Sequence, residues 1–497
     1  MREYERFNTV VANAYIKPLM ASYLGRLEDR LGDEGVTCRI FLMHSGGGII
    51  SIQNAADFPV RLVESGPAGG AVFAAHIAAR YGLDKVLSFD MGGTTAKICL
   101  IKNQTPKTSR VFEVARSYRF KKGSGMPISI PVIDMVEIGA GGGSLAHVEA
   151  MRQIRVGPES AGSEPGPACY GRGGARPAVT DADLVLGRLD AENFAGGAFS
   201  LSVAGASSAL TGVIGAALGM DVTEAAFGLA EVVDENMANA ARVHAVENGE
   251  DLGDYTMIAF GGAAPLHAAR LCEKLGVARC LVPPGAGVGS AIGFLRAPFS
   301  FEANRSVYMK LSEFDAARIT GLLSDLQAEA TGFVRTCDAS SPIESEYKVY
   351  MRYTGQGWEI PITLNDAQAL QPDAETYQAL FEAEYTKLFG RPVAGLDVEI
   401  TVWSVNATTP PEPVSALGPA ENGEAAPVSG RRELFDPARA ESCEAAVIAR
   451  RDMVTGNTVE GPAAITEDET TIILPTSRRA VRQGDDCIDI SRKEGAA

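Results

Sequence analysis

The sequence predicts an α/β protein, and three stretches carry that prediction. VLSFDMGGTTAKICLI, residues 86–101, joins two apolar runs through a short polar turn, which is typical of a β-hairpin. YTMIAFGGAAPLHAARLCEKLG, residues 255–276, has the pattern of a strand, a glycine turn and a helix. TEAAFGLAEVVDENMANAARVHAVENG, residues 223–249, has the periodicity of a long amphipathic helix. This mixture of strands and helices favours a sheet covered by helices.

The segments before the hairpin predict helices around one buried strand. Residues up to about 31 are predicted as one amphipathic helix or two, because apolar residues recur there at helical spacing: Val10, Val11, Ala14, Leu19, Tyr23 and Leu27. TCRIFLMHSGGGII predicts a strand that runs into a triple-glycine loop, and SGPAGGAVFAAHIAARYG predicts a glycine-opened helix that ends at Gly82.

The segments after the hairpin predict a glycine-rich stretch, then helices, then a β-rich end. Residues 123–174 contain too many glycines for a stable helix. We therefore expect a core over residues 1–300 and an α+β region over residues 301–408. A linker or long loop is expected over residues 409–430, where Pro, Gly, Ala and Glu dominate, and a β-rich region over residues 431–497.

Charge and cysteine content exclude several classes of protein. The chain of 497 residues has 45 basic and 62 acidic side chains, a net charge of -17, which argues against nucleic acid as a partner. The eight cysteines form no C-x-x-C pair, which argues against a disulfide framework or a zinc site and predicts a cytoplasmic protein. The sequence has no secretory signal pattern and no apolar run of membrane-spanning length, so no membrane association is expected.

The polar turn of the hairpin has the residue types of a phosphate site. Gly92 and Gly93 let backbone amides approach an oxyanion, and Thr94 and Thr95 add hydroxyl donors. Asp90 ends the preceding strand, where a carboxylate fits a divalent cation. The alternative is a tight hairpin whose Asp and Thr side chains satisfy the amides of the turn, and the turn alone does not choose between the two.

A second glycine turn favours the phosphate interpretation. Gly261 and Gly262 precede a helix, where they could present a flat surface to an adenosine or a phosphate, although such turns also use glycine for geometry alone. The order of a D-x-G-G-T hairpin followed by this turn resembles the acetate kinase, sugar kinase, heat-shock ATPase and actin superfamily, in a duplicated fold.

Longer motifs resemble one family over essentially the whole chain. VESGPAGGAVFAA, SFDMGGTTAKICLI, VIDMVEIGAGGGSLA, VGPESAGSEPGPACYGRGGARPAVTDADLVLGRL and FGGAAPLHA are similar, in order, to the A-type subunit of the hydantoinase/oxoprolinase family. RYTGQGWEIPI and EGPAAITEDET continue the likeness towards the C-terminus. That family includes N-methylhydantoinase, 5-oxoprolinase and the nucleotide-binding subunits of acetone and acetophenone carboxylases.

The resemblance implies that ATP lies between two lobes and activates an amide oxygen or bicarbonate by phosphorylation. It implies catalytic roles for Asp90, Thr94 and Lys97. It implies nucleotide contacts for a larger set: Gly92, Gly93, Thr95, Gly141, Gly142, Gly143, Ser144, Gly261 and Gly262. Phosphoryl transfer depends on positioning and charge neutralisation, which glycine amides, Mg²⁺ and a lysine supply.

Three acidic residues are candidate ligands of a metal ion. Asp134 and Glu137 precede a glycine loop and, with Asp90, are candidate ligands of Mg²⁺ or Mn²⁺; alternatively, one caps the loop and the other faces solvent. Many relatives have T-S-T-D at the hairpin, where this sequence has Thr94, Thr95, Ala96 and Lys97. Lys97 either contacts a phosphate directly or extends from the strand edge to solvent.

The resemblance also implies partners and leaves the reaction open. Family members usually begin with another D-x-G-G-T hairpin, which this sequence lacks, so a separate N-terminal-lobe chain is one expectation and a noncatalytic assembly subunit is another. The first expectation for function is an ATP-dependent hydrolase of cyclic amides, a hydantoin, lactam or 5-oxoproline, that acts with a B-type partner subunit in an oligomer. A carboxylase subunit of the acetone or acetophenone type is the alternative.

Overall fold

Packing divides the chain into two units, each assembled from segments that are distant in the sequence. The computed structural model describes residues 3–117 and 123–493. Unit 1 spans Met1–Ser65, Ile128–Pro131 and Ala297–Glu412, and unit 2 spans Gly66–Pro127, Val132–Arg296 and Pro413–Ala497. The boundaries expected at residues 300, 408 and 430 stay predictions, since these units follow packing rather than chain order.

Unit 1 is built on a five-stranded antiparallel sheet covered by helices. Its strand order is β15-β19-β17-β18, with β16 paired to β19. Side chains of β17 alternate between buried and partly exposed positions, as expected where one face of a sheet lies on the core. The elements are α1 (Glu3–Asp33), β1 (Phe41–Met43), β2 (Ile49–Ser51), α2 (Ile52–Asp57), β15 (Ser300–Arg305), β16 (Met309–Lys310), α10 (Ala316–Cys337), β17 (Glu344–Tyr353), β18 (Ile360–Leu364), α11 (Asp366–Leu370), α12 (Ala374–Phe389), β19 (Val398–Thr408) and two 3₁₀ turns, Pro59–Leu62 and Leu311–Glu313.

The first helix of unit 1 confirms the predicted helical periodicity but not the burial of its apolar stripe. The prediction allowed one helix or two, and α1 is a single helix in which only Leu24 is buried. Several of the residues at helical spacing are exposed, including Val10, Val11, Leu19 and Tyr23. Periodicity therefore identified the helix, but it could not tell which face unit 1 covers.

The loop between β1 and β2 is held by a buried histidine. His44 Nδ1 accepts a hydrogen bond from the Gly46 amide at 3.0 Å, and His44 Nε2 lies 3.3 Å from Ser300 Oγ. Burial, together with the nearby charge of Arg61, lowers the pKa of His44 from 6.5 to about 4. A Cβ on Gly48 would lie 2.7 Å from His44 Nε2, so the glycine leaves room for the ring.

We expect this histidine to make the protein sensitive to acid. Because the pKa is lower in the folded than in the unfolded state, the unfolded state binds the extra proton between pH 6.5 and 4, and stability falls as pH falls through that window. The loss amounts to roughly 3 kcal/mol at its largest. Denaturant unfolding of wild type and His44→Gln from pH 7 to 4 measures it, since glutamine stays neutral. Parallel stability curves for the two proteins would contradict the assignment.

Unit 2 is built on a mixed sheet of nine strands. The order is β10-β4-β3-β13-β14-β26-β25-β22, with β5 paired to β4; β3, β13 and β14 are parallel. The loops that follow β3 and β13 leave the same edge of the sheet, because parallel strands place their carboxyl ends together. The strands are β3 (Lys85–Met91), β4 (Ala96–Lys102), β5 (Thr105–Pro106), β10 (Met135–Ile138), β13 (Thr256–Phe260), β14 (Arg279–Val282), β22 (Thr458–Glu460), β25 (Arg478–Arg482) and β26 (Ile488–Arg492).

Helices and smaller sheets complete unit 2. The long helix α7 begins with a capping box: Asp221 accepts from the Glu224 amide, and the Glu224 side chain accepts from the Asp221 amide. The helices are α3 (Ser65–Arg80), α4 (Val179–Val185), α5 (Val203–Leu210), α6 (Ala216–Leu218), α7 (Val222–Glu247), α8 (Ala264–Leu275), α9 (Gly289–Arg296), a π-helical turn (Thr211–Gly215) and four 3₁₀ turns (Ala168–Tyr170, Leu252–Asp254, Ala286–Val288 and Arg450–Asp452). Within the described ranges no single helix has the length and apolarity to cross a membrane, although the pair Val203–Leu218 and Val222–Glu247, bent by 87°, meets that test by length and composition.

Within the described residues, four smaller sheets contain the strands that remain. The pairs are β6 (Thr108–Ser109) with β9 (Val132–Ile133), β7 (Phe112–Val114) with β8 (Met126–Ile128), and β11 (Ser144–Val148) with β12 (Ile154–Ser160). A four-stranded sheet near the C-terminus has the order β20 (Gly430–Asp436), β21 (Glu441–Ala449), β23 (Ala463–Thr466) and β24 (Thr471–Leu474).

Candidate functional site

The turn between β3 and β4, residues 92–95, forms an exposed hairpin tip. Gly92 N donates to Thr95 O at 3.2 Å and closes the turn. Gly93 and Thr94 are exposed, and among the described residues their amides find no acceptor. A Cβ on Gly92 or Gly93 would meet no atom within 4 Å. The hairpin tip thus combines two N–H groups that have no protein acceptor with exposed glycines, as an oxyanion site requires.

Three charged side chains lie in a row across the sheet beside the hairpin tip. Lys97 is the register partner of Asp90 on β3 and of Glu137 on β10. Its Nζ donates to Thr95 Oγ1 at 2.7 Å and lies 3.6 Å from Glu137 Oε1. The lysine side chain is therefore a cation between two carboxylates, directly beneath the hairpin tip.

Asp90 is the partly buried carboxylate of this row. Its Oδ2 accepts a hydrogen bond from Ser290 Oγ at 3.0 Å, at the start of α9. Burial raises the pKa of Asp90, while the Ser290 bond and the charge of Lys97 act in the opposite direction. The sequence did not single out Ser290; its position at the start of a helix after a glycine-rich turn is the signal that could have found it.

The three candidate metal ligands do not converge. Asp134 and Glu137 are three residues apart in an extended segment, and alternation along a strand directs them to opposite faces. Lys97 lies between Glu137 and Asp90. Within residues 3–117 and 123–493, no three His, Cys, Asp or Glu side chains come together in a metal-binding arrangement. Asp90 still fits Mg²⁺, because this ion commonly uses one or two carboxylates together with substrate phosphates.

The glycine loop, residues 139–144, holds the hairpin tip in place. Gly142 N donates to Gly92 O at 3.0 Å, and Gly143 N donates to Gly93 O at 2.6 Å. Gly141 N donates to Ser144 Oγ at 2.9 Å. The amides of these three glycines, expected to line phosphates, are thus used within the protein.

The glycine turn, residues 261–263, meets the hairpin at the same edge of the sheet. Ala263 N donates to Met91 O at 3.0 Å, and Gly261 has a φ of +100°. A Cβ on Gly261 would lie 2.6 Å from Asp90 Oδ1, so only glycine allows this approach. Gly262 O accepts a hydrogen bond from Thr470 Oγ1 at 2.9 Å. The two turns that the sequence paired therefore lie side by side in unit 2.

Cys169 is a packing residue in this geometry. It is fully buried, and burial raises the pKa of its thiol far above the usual range, with the charge of Asp181 adding to the effect. Asp181 accepts hydrogen bonds from the amides of Ala168, Cys169 and Ala178. A buried thiol with a raised pKa is a poor nucleophile, so Cys169 contributes to packing rather than to catalysis.

Two protein-family models match the chain. Residues 6–303 match the model of the hydantoinase/oxoprolinase domain, and residues 312–485 match the hydantoinase/oxoprolinase C-terminal domain. The chain belongs to the hydantoinase/oxoprolinase family. The family resemblance inferred from the motifs is thereby confirmed.

Individual relatives include hydrolase and carboxylase subunits. An uncharacterized protein of Methanocaldococcus jannaschii is 34% identical, and the match covers 99% of this chain and 71% of that protein. The caprolactamase subunit alpha of Pseudomonas jessenii is 30% identical, with 96% of this chain and 68% of that protein covered. The acetophenone carboxylase gamma subunit of Aromatoleum aromaticum is 28% identical, with 96% and 65% covered.

Solved structures confirm the predicted α/β fold of this family. The crystal structure of the ATP-dependent caprolactamase of Pseudomonas jessenii superposes with a TM-score of 0.83 and 28% identity, over 99% of this chain and 71% of the other. The nucleotide-free structure of acetone carboxylase gives a TM-score of 0.79 over 99% and 70%; at 24% identity it shows the fold alone.

Proposed function

We propose that this chain is the ATP-binding subunit of an ATP-dependent cyclic amide hydrolase. The observation that carries the proposal is the exposed hairpin tip, whose free Gly93 and Thr94 amides lie beside the partly buried Asp90. The relatives support the ATP requirement, since the superposed caprolactamase is ATP-dependent by name. Thr95, Gly261 and Gly262, assigned from the sequence, are part of this proposal, whereas the amides of Gly141, Gly142 and Gly143 bond within the protein and hold the hairpin tip in place.

The residues of the site would stabilise charge rather than form covalent bonds. ATP supplies a phosphoryl group that converts the amide oxygen into a leaving group, and Mg²⁺ or Mn²⁺ would neutralise its phosphates. The free amides of the hairpin tip would bind phosphate oxygens, and Asp90 would hold the metal or its water shell. Lys97, 2.7 Å from Thr95 Oγ1, would orient that hydroxyl and add positive charge below the phosphates.

Partners are part of the proposal. Several relatives are subunits by name, among them the caprolactamase subunit alpha and the acetone carboxylase beta subunit. We propose that a B-type subunit completes the hydrolysis. Eight free cysteines support a cytoplasmic location, where thiols stay reduced.

The first test is whether ATP stabilises the chain. A ligand that binds only the folded state raises the unfolding free energy by about 2.7 kcal/mol at a concentration one hundred times Kd. We therefore expect the thermal unfolding midpoint with Mg²⁺ plus ATP to exceed the midpoint with Mg²⁺ alone, while AMP, which lacks the outer phosphates, gives a smaller rise. An unchanged midpoint in a cooperatively unfolding sample would overturn nucleotide binding by this chain and favour the noncatalytic alternative.

The second candidate function is a carboxylase subunit, which the acetophenone and acetone carboxylase relatives favour. Phosphate release by the assembled enzyme separates the two. Stimulation by ε-caprolactam, hydantoin or 5-oxoproline supports the hydrolase, whereas stimulation by bicarbonate with a ketone and not by cyclic amides would replace it with the carboxylase.

A further inference from the structure

Four charged side chains are buried together in unit 2, outside the candidate phosphate site. They are Asp183 on α4, Arg188 just after it, Asp234 on α7 and His267 on α8, and none is more than 2% exposed. His267 Nδ1 lies 2.8 Å from Asp234 Oδ1, and His267 Nε2 lies 3.3 Å from Asp183 Oδ2. Arg188 Nη1 donates to Asp183 Oδ1 at 2.9 Å. We call these residues the buried charge cluster.

The charges of the buried charge cluster balance one another, but removing them from water costs free energy. Although burial alone would lower the pKa of His267, the charges of Asp183 and Asp234 raise it to about 9, so two cations face two carboxylates at neutral pH. Burial raises the pKa of Asp183, but His267 and Arg188 more than offset this and hold it below its usual value. Replacing a buried ion pair with apolar side chains of similar size often leaves a protein equally stable. A contribution to stability therefore does not by itself explain why these four charged residues are buried.

The position of the cluster indicates a different role. Helix α4 contacts the glycine loop one turn before Asp183: Thr180 N and Thr180 Oγ1 each donate to Gly142 O at 2.8 Å. Residues three apart lie on the same side of a helix, so Thr180 and Asp183 act from one face of α4. The same short helix thus touches the glycine loop through Thr180 and helix α8 through Asp183.

These contacts close a ring around the hairpin tip. Gly142 N donates to Gly92 O, and Gly142 O accepts from Thr180 on α4. Asp183 on α4 contacts His267 on α8, and the turn before α8 returns to the hairpin through Ala263 N and Met91 O. Met91 and Gly92 are consecutive in the chain. Of the noncovalent links in the ring, the contact between Asp183 and His267 is the ionic one.

We propose that His267 and Asp183 are positioning residues that fix the glycine turn against the glycine loop and so set the geometry of the hairpin tip for nucleotide. This inference rests on the proposed function. Neither residue touches the hairpin tip itself; each acts through the elements it joins. Asp234 contacts the opposite nitrogen of the His267 imidazole and thereby fixes the orientation of that side chain.

The test compares two buried histidines of unit 2. His267→Gln removes the charge inside the ring, and His244→Gln alters a buried histidine on α7 that is outside the ring. We expect His267→Gln to bind MgATP about tenfold more weakly than wild type, with His244→Gln close to wild type, by isothermal titration calorimetry at pH 7. Asp183→Asn should weaken MgATP binding to a similar extent. If His267→Gln does not fold, Asp183→Asn replaces it in this experiment.

The pH profile separates positioning from a general loss of packing. The charged groups that face His267 are Asp183, Arg188 and Asp234, and above a pH of about 9 the imidazole loses its charge between the carboxylates. Wild-type affinity for MgATP should therefore fall between pH 7 and 9.5, whereas the affinity of His267→Gln should be flat. Equal affinities and equal pH profiles for wild type and His267→Gln would overturn the proposal.

Hydrogen exchange measures how firmly the amides of the ring are hydrogen-bonded, and it needs no ligand. The amides of Gly142, Gly143, Thr180 and Ala263 donate within the ring or beside it, so they should exchange faster in His267→Gln than in His244→Gln. If wild type binds no ATP, the proposed function fails, and the exchange rates alone decide the inference: faster exchange at these amides supports it, and unchanged exchange overturns it.

Discussion

Replacing Asp90 with asparagine is expected to abolish the ATP-dependent rise in the unfolding midpoint measured with Mg²⁺, and to lower ATP turnover by the assembled enzyme at least about 100-fold. The side-chain shape is kept, and the asparagine amide would still offer an oxygen to Ser290 Oγ. Only the carboxylate charge is lost, which is what a metal or its water shell requires. Thermal unfolding with and without MgATP, together with phosphate release, measures both effects.

The folded protein should tolerate this substitution. Burial raises the pKa of Asp90, which means that the carboxylate charge is held at a cost, while the attraction of Lys97 offsets part of it. These opposing effects should leave the unfolding free energy without nucleotide within about 1 kcal/mol of wild type. An Asp90→Asn protein with a wild-type ATP response would remove Asp90 from the site.

Glu137→Gln is the matched control for the metal hypothesis. Glu137 is half exposed and pairs with Lys97 on the side away from Asp90. If Asp90, Lys97 and Glu137 form only ion pairs, Glu137→Gln should keep the ATP-dependent rise in the unfolding midpoint, because an exposed ion pair contributes at most about 1 kcal/mol. If Glu137 is instead a metal ligand, as the sequence suggested, this variant should behave like Asp90→Asn.

The sequence was most informative where function depends on local patterns. Gly92, Gly93 and the glycine turn were singled out because glycine pairs follow apolar runs in both segments, and the structure brings both turns to one edge of the sheet. The parallel pairing of β3 and β13 explains why: residues about 170 positions apart meet because adjacent parallel strands share a carboxyl end. Their role in binding nucleotide stays a prediction.

Contacts between distant side chains were not predictable from local patterns. No local pattern connects Asp183 with His267, yet they join two helices and are buried with Arg188 and Asp234. Whether Lys97 reaches a phosphate or an acid depends on β10, whose pairing with β4 no local pattern encodes. Helical periodicity likewise identified α1 without showing that Leu19 would be exposed.

Replacing Gly93 with alanine is expected to leave the protein folded and to remove its response to ATP. A Cβ at this position meets no protein atom within 4 Å, and the φ of Gly93 is not in the left-handed region. The unfolding midpoint without nucleotide should stay equal to wild type or rise slightly, since alanine lowers the entropy of the unfolded chain. The methyl group would, however, occupy the space through which a phosphate approaches the Gly93 and Thr94 amides.

Gly141→Ala is the control for Gly93→Ala, because Gly141 packs against the hairpin tip from inside the protein. A Cβ on Gly141 would lie 2.6 Å from Thr94 N and Thr94 C, which are backbone atoms that cannot move without distorting the hairpin. We expect a loss of about 1–3 kcal/mol in unfolding free energy even without ATP. Thermal unfolding of both variants with and without MgATP distinguishes the two effects. A phosphate site requires that Gly93→Ala lose only the ATP response and that Gly141→Ala lose stability; if Gly93→Ala keeps the full ATP response, the hairpin tip is a structural turn and the nucleotide binds elsewhere.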